Sequence, residues 1–183
     1  MNKTTGAGLG FALVFITLKC IFFITGFQYT HYNFVILANI VCVLLAVGLG
    51  MYVAREKNNR MLSSGIARIK AGIRGGAIYA LVVSIFVFFY YNNIDKKFGQ
   101  DKIKERVQWA EKMDFKQVQR DNPDAWGNRS RGDFIDEQKA NAELFFSPFM
   151  ITTVTLISLM IVSMIYAVVM NIIFKNLFFK PRL

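Results

Sequence analysis

The sequence predicts an all-α integral membrane protein with four transmembrane helices. Three observations support this fold class: hydrophobic residues make up 54% of the 183 residues, most of them lie in four long stretches, and charged residues lie between those stretches. A helix needs about 20 apolar residues to cross the hydrocarbon core of a bilayer. Backbone polar groups inside lipid must be hydrogen-bonded within their own segment, so we expect each stretch to be a helix.

Each of the four predicted spans meets this length. They cover Leu9–Phe27, Phe34–Val53, Ala71–Tyr91 and Phe149–Phe174. The first stretch is longer than the apolar region of a signal peptide and lacks a small-residue cleavage site, so we expect an uncleaved span. Pro148 falls at the start of the fourth span, where a helix tolerates proline.

Basic residues near the span ends predict the orientation. The first connection, Gln28–Asn33, carries no Lys or Arg, whereas the second connection carries six of them beside a single acid, Glu56. Because Lys and Arg concentrate in cytoplasmic connections, we expect both termini and the second connection in the cytoplasm. Residues 92–148 then face outward. The charges therefore predict a multi-pass protein with both termini in the cytoplasm. In a bacterium the long loop would lie in the periplasm, and a eukaryotic membrane is the alternative that the composition leaves open.

The outer segment is expected to be a partly helical cap, residues 92–148, within a single domain of residues 1–183. Lys102–Gln119 places its apolar residues at helical spacing. A turn follows, and Asp133 is the expected N-cap of a second helix that ends near Leu144.

Three aromatic residues of this segment are candidate anchors at the membrane surface: Trp109, Phe115 and Trp126. Tryptophan and other aromatic side chains are enriched where a protein crosses the interface between lipid and water. This pattern favours a cap that lies on the membrane, and a solvated connector is the alternative.

The formal net charge of +10 does not indicate nucleic-acid binding, because the excess cations flank spans instead of forming a basic domain. The larger group precedes the third span: Arg55, Lys57, Arg60, Arg68, Lys70 and Arg74. Their role in setting the orientation suffices to explain them. The functional interpretation is a site for anionic lipid headgroups, which a lipid-linked phosphate would also suit. The expected partners are therefore membrane lipids, together with other membrane protein subunits or a second copy of the chain.

Lys19 lies near the middle of the first span, where a cation costs roughly 3 kcal/mol to insert. No Asp or Glu lies inside any of the four spans, and Asn39 is among the few polar residues that do. Three explanations remain open for Lys19. Its side chain extends to the outer face, pairs with a carboxylate of another subunit, or binds an anionic lipid or substrate with Asn39 nearby.

Two stripes of small residues recur every four positions. The stripe of the second span is Ala38, Cys42, Ala46 and Gly50, and that of the third is Gly72, Gly76, Ala80 and Ser84. This pattern lets membrane helices approach closely. Packing within one chain explains it, and a seam between subunits is the alternative.

No pattern in the sequence indicates catalysis. His31 is the only histidine, so it cannot form a metal site with a second His or a nearby Cys. The spans contain no paired carboxylates and no nucleophile with a neighbouring base. We therefore expect a protein that is not an enzyme and holds neither metal nor cofactor.

The layout resembles a known family. The third span is approached through Ser64-Gly65-Ile66-Ala67 and Gly72-Ile73-Arg74-Gly75-Gly76, it ends at Asn92-Asn93-Ile94-Asp95, and the long loop ends at Pro148. These features resemble an uncharacterised family of bacterial four-span inner-membrane proteins (domain of unknown function 4199). The resemblance covers nearly the whole chain and implies the fold and the inner membrane, but no activity.

Two functions follow as expectations. The first is a non-catalytic accessory or anchoring subunit of a membrane protein complex, based on Lys19, the small-residue stripes and the outer cap. The alternative is a small homo-oligomeric transporter or lipid-carrier protein for an anionic substrate, with Lys19 holding the anion. No internal repeat and no broken pair of spans supports this alternative.

Overall fold

The computed structural model describes residues 3–57 and 65–178, and all regular structure within them is helical. Four helices are long and apolar enough to cross a membrane. Their spanning segments are Lys3–Ile24, Tyr32–Ala54, Gly65–Ile94 and Pro148–Lys175. The predicted all-α fold class and the four spans are therefore confirmed.

The helices follow one another with short connections. They are α1 (Lys3–Ile24), α2 (Phe27–Thr30), α3 (Tyr32–Lys57), α4 (Gly65–Phe89), a π-helical turn (Tyr90–Ile94), α5 (Lys96–Lys112), α6 (Phe115–Asp121), α7 (Pro123–Trp126), α8 (Arg131–Phe145) and α9 (Pro148–Phe178).

The first span lies earlier in the chain than its apolar stretch predicts. Helix α1 ends at Ile24, and Gly26 adopts a left-handed backbone conformation with φ 71°. A residue without a Cβ adopts this conformation at little cost, so Gly26 turns the chain into the short helix α2. Phe27, predicted as the end of the first span, is instead the first residue of α2.

The chain divides into two compact units. The first consists of Met1–Phe86 with Val154–Leu183, and the second of Val87–Thr153. In the first unit, α1 packs along α3. A buried cluster of Val47, Met51 and Ala167 joins α3 to α9.

The second unit has a small apolar core of its own. Helices α5 and α8 pack against each other, and Ala110, Trp126 and Phe134 are buried together. The rings of Trp126 and Phe134 meet edge to face, with centroids 5.0 Å apart. Trp126 therefore belongs to the interior of this unit and not to its surface, so its predicted role as a membrane anchor is wrong.

The predicted helix over Lys102–Gln119 is two helices. Helix α5 begins at Lys96, because the side chain of Asp95 accepts a hydrogen bond from the backbone N–H of Phe98 at 3.3 Å. It ends at Lys112, where Met113 is extended. Asp114 then caps α6 by accepting from the N–H of Lys116 at 3.0 Å. The N-caps Asp95 and Asp114 determine where the two helices begin, even though the apolar residues of the stretch keep helical spacing.

Helix α8 begins with a capping box, and its N-cap is Ser130 instead of the predicted Asp133. The Ser130 Oγ accepts from the backbone N–H of Asp133, and the Asp133 carboxylate accepts from the backbone N–H of Ser130 at 2.8 Å. Asp133 is thus the third residue of the helix. The hydrogen bonds that its carboxylate accepts from the backbone N–H of Ser130 and, at 2.8 Å, from the Ser130 hydroxyl hold the pKa of Asp133 below its ordinary value.

Candidate functional site

Lys19 is buried, and its ammonium group donates a hydrogen bond to the Oε1 of Gln28 at 3.0 Å. The side chain of Gln28 is 4% exposed and that of Lys19 is 6% exposed. Helix α2 positions this acceptor, because the turn at Gly26 brings Gln28 back to the C-terminal part of α1. An amide of the same chain therefore compensates the cation. This explanation is not among the three that the sequence leaves open for Lys19.

Asn39 pairs with Tyr79 across helices α3 and α4. The hydroxyl of Tyr79 lies 2.5 Å from the Oδ1 of Asn39 and 3.3 Å from its backbone oxygen. Tyr79 is fully buried. A hydrogen bond that satisfies two polar groups inside an apolar bundle holds the two helices in one register. Lys19 and Asn39, predicted as one contact site, are thus bonded to different partners.

The basic cluster before the third span separates into two kinds of residue. Arg68 is buried, and its Nε donates to the Oδ1 of Asn171 at 2.8 Å, which joins α4 to α9. Lys70 and Arg74 are exposed. Arg68 is therefore a link between helices, while Lys70 and Arg74 remain candidates for lipid headgroups.

The headgroup site predicted from the sequence also includes Arg55, Lys57 and Arg60. Arg60 lies outside the described residues, as do the side chains of Arg55 and Lys57.

The two small-residue stripes lie largely inside the first unit. Cys42, Ala46 and Gly50 are buried on α3, and Ala38 is half-buried. All four stripe positions of α4, namely Gly72, Gly76, Ala80 and Ser84, are buried. A Cβ at Gly76 would clash with Ser163 of α9, and one at Gly72 would lie 2.9 Å from Met51 of α3. The α4 stripe therefore brings this helix close to two neighbours.

The closest approach of helices involves glycines outside both stripes. A Cβ at Gly75 would lie 2.7 Å from the backbone oxygen of Ala46, and one at Gly8 would clash with the backbone oxygen of Gly75. Helices α1, α3 and α4 thus come within backbone contact around Gly75. The spacing of four residues includes Gly72 and Gly76 but not Gly75. The only sequence signal for the contact at Gly75 is that it forms a Gly-Gly pair with Gly76.

A further buried strip, in which Ser163 and Ala167 are the small residues, lies on α9. Leu159, Ser163 and Ala167 are buried at intervals of four, and Asn171 continues the same row to its hydrogen bond with Arg68. The Ser163–Ala167 pair is the sequence signal for this strip.

Ser84 is the one described buried side chain whose oxygen has no hydrogen-bond partner within the described part of the chain. Its hydroxyl lies in an apolar setting, and such a group costs roughly 1–3 kcal/mol when it is unsatisfied. The position fits helix packing, since serine is almost as small as alanine.

Among residues 3–57 and 65–178, no three His, Cys, Asp or Glu side chains are grouped as a metal site would require. Comparison of the chain with known protein families, with curated proteins and with solved structures gives no match.

Proposed function

We propose that the protein is a non-catalytic integral membrane subunit that binds other membrane proteins through the exposed face of α9. The observation that supports this most is how little of α9 the chain itself covers. In the most apolar segment of α9 only 17% of the residues are buried, compared with 44% in the corresponding segments of α3 and of the third span. Helix α9 is therefore held by one side only.

The described part of α9 presents a narrow packed strip and a wide free face. The strip of Leu159, Ser163 and Ala167 is buried, with Ser163 beside α4 and Ala167 beside α3. The free face consists of large apolar side chains that are about half exposed: Val154, Ile157, Ile161, Met164, Ile165 and Val168. Lipid tails are as apolar as these side chains, so a partner helix binds here by shape and close packing.

We further propose that both termini are cytoplasmic, and that residues 92–148 lie on the outer side of a bacterial inner membrane. The supporting feature is the basic N-terminal part of α4, where Lys70 and Arg74 are exposed. Lys and Arg at span ends mark the cytoplasmic side.

Site-specific photo-crosslinking in the native membrane tests the subunit proposal. A photoreactive amino acid at Ile161 of α9 is compared with one at Leu13 of α1, because both positions are about half exposed (53% each). We expect Ile161 to link to one protein in stoichiometric yield, while Leu13 links to lipid. Equal protein linkage from both positions, or lipid alone from Ile161, would overturn the proposal.

The alternative, a homo-oligomeric transporter or lipid-carrier protein for an anion, is supported by a single observation, the buried cation of Lys19. Crosslinks from Ile161 to a second copy of the chain, together with anion uptake by proteoliposomes, would favour this alternative. The Lys19→Met variant should then lose uptake.

A further inference from the structure

A cavity of about 270 Å³ lies within the second unit, at the ends of the third and fourth spans. Its polar wall is formed by Tyr91, Asn92 and Lys96, and its apolar wall by Phe146, Pro148 and Ile151. No motif in the sequence groups these residues as one site. Their positions at two span ends place the cavity at the height of lipid headgroups.

The backbone around the cavity departs from regular helix. The π-helical turn closes with a hydrogen bond from the N–H of Asp95 to the oxygen of Tyr90, at 2.9 Å, and its residues Tyr91 and Asn92 face the cavity. Such turns are rare and are frequently found at functional sites. On the other side, Gly99 lets α5 approach closely, since a Cβ there would lie 3.1 Å from the backbone oxygen of Phe146.

The charge of the lining is positive. Lys96 is exposed and is the only charged residue of the lining. The neighbouring acid, Asp95, is buried and accepts a hydrogen bond from the N–H of Phe98. The exposed ammonium group of Lys96 can reach an anion in the cavity, and Asn92 and Tyr91 offer hydrogen-bonding groups beside it.

The size of the cavity limits its ligand. Pockets that enclose whole small molecules are larger, at about 300–1,000 Å³. A cavity of this size holds one polar group, such as a phosphate, while an attached apolar chain continues along Phe146 and Ile151. We propose that it binds a phosphate-bearing group, supplied by a phospholipid headgroup or by a free phosphate.

Photo-crosslinking with defined lipids tests this assignment. Phosphatidylglycerol with a photoreactive acyl chain is added to the full protein in nanodiscs, and the labelled peptides are mapped. We expect labelling within residues 146–151 that is stronger with this lipid than with phosphatidylcholine. Lys96→Gln should reduce it about fivefold, the effect of one basic residue near an anionic headgroup.

The matched control is Lys97→Gln, which removes the same charge one residue away and outside the cavity lining. It should label like the unchanged protein, and all three proteins should show the same thermal unfolding. Equal losses in the two variants, or equal labelling by both lipids, would overturn the assignment.

A competition arm separates the two sources of phosphate. If glycerol phosphate displaces the labelled lipid, and does so only when Lys96 is present, the site recognises the phosphate itself and accepts it from solution as well as from the lipid. If glycerol phosphate has no effect, the lipid headgroup is the ligand.

Discussion

Lys19 and Gln28 are a buried pair of unequal members, because one is a cation and the other a neutral amide. Removing the acceptor leaves the charge with one hydrogen bond fewer in an apolar setting. Removing the cation takes away the charge that is costly to bury. The same arrangement weakens the argument for a carboxylate on another subunit, since the charge already has an acceptor inside this chain.

The Gln28→Leu variant should therefore be less stable than Lys19→Met. The expected loss for Gln28→Leu is roughly 1–3 kcal/mol, the cost of a buried polar group that loses its partner. The double variant should recover most of that loss, because it removes both polar groups. Thermal unfolding of the four proteins in one detergent measures the coupling.

A different result would restore the explanation that involves another subunit. If Lys19→Met unfolds normally but no longer retains a co-purifying membrane protein, a carboxylate of that protein binds Lys19.

At the scale of helices, the approach of α1 to α4 offers a test with a control on the same helix. Gly8 faces the backbone oxygen of Gly75, whereas a Cβ at Gly10 would meet nothing within 4 Å. Gly8→Ala should force the helices apart and cost about 1–3 kcal/mol, as overpacking does. Gly10→Ala should leave stability unchanged or slightly higher. Comparable unfolding of both variants would show that this contact does not hold the bundle.

Helix α8 should respond to pH through its capping box. The pKa of Asp133 is lowered in the folded chain, so its carboxylate stabilises the helix above the ordinary pKa of 3.8. This contribution is lost as the pH falls through the lowered pKa of the folded state. Hydrogen exchange of residues 131–145, followed from neutral to acidic pH, should show opening of α8 that Asp133→Asn produces already at neutral pH. A pH response that is the same in Asp133→Asn would assign the effect to another group.

Local sequence predicts the spans well and the contacts between them poorly. Four apolar stretches locate the membrane helices because the backbone of a single segment inside lipid must form its hydrogen bonds within that segment. Gly75 could not be predicted in this way. Whether Gly75 or Gly76 contacts a given neighbour depends on how α4 crosses α1 and α3, and the spacing of residues along α4 gives no information on that crossing. The prediction that Trp126 anchors the protein at the membrane surface is wrong for a related reason, since an aromatic side chain suits a membrane interface and a small apolar core equally well.

Orientation is a property of the whole molecule, and labelling of introduced cysteines tests it. Single cysteines at Ser63 and at Asn128 should react oppositely with a membrane-impermeant thiol reagent in intact cells. Asn128 is exposed in the second unit, and Ser63 lies outside the described residues. Asn128 should be labelled and Ser63 protected, because the proposed orientation has the basic second connection in the cytoplasm. Labelling at Ser63 would reverse the proposed orientation.

The chain itself, with its own Cys20 and Cys42, serves as the background. Both thiols are free and lie on helices α1 and α3. They should stay unreactive towards a reagent that does not enter lipid.

The distance along the chain between Lys19 and its acceptor has a consequence for biogenesis. Gln28 follows Lys19 by nine residues, and a ribosome adds that many in about one second. Both members of the pair are therefore synthesised before α3, α4 or α9. The difficult insertion of a charged span can thus be completed by the nascent α1–α2 segment alone, independently of how late the rest of the bundle assembles.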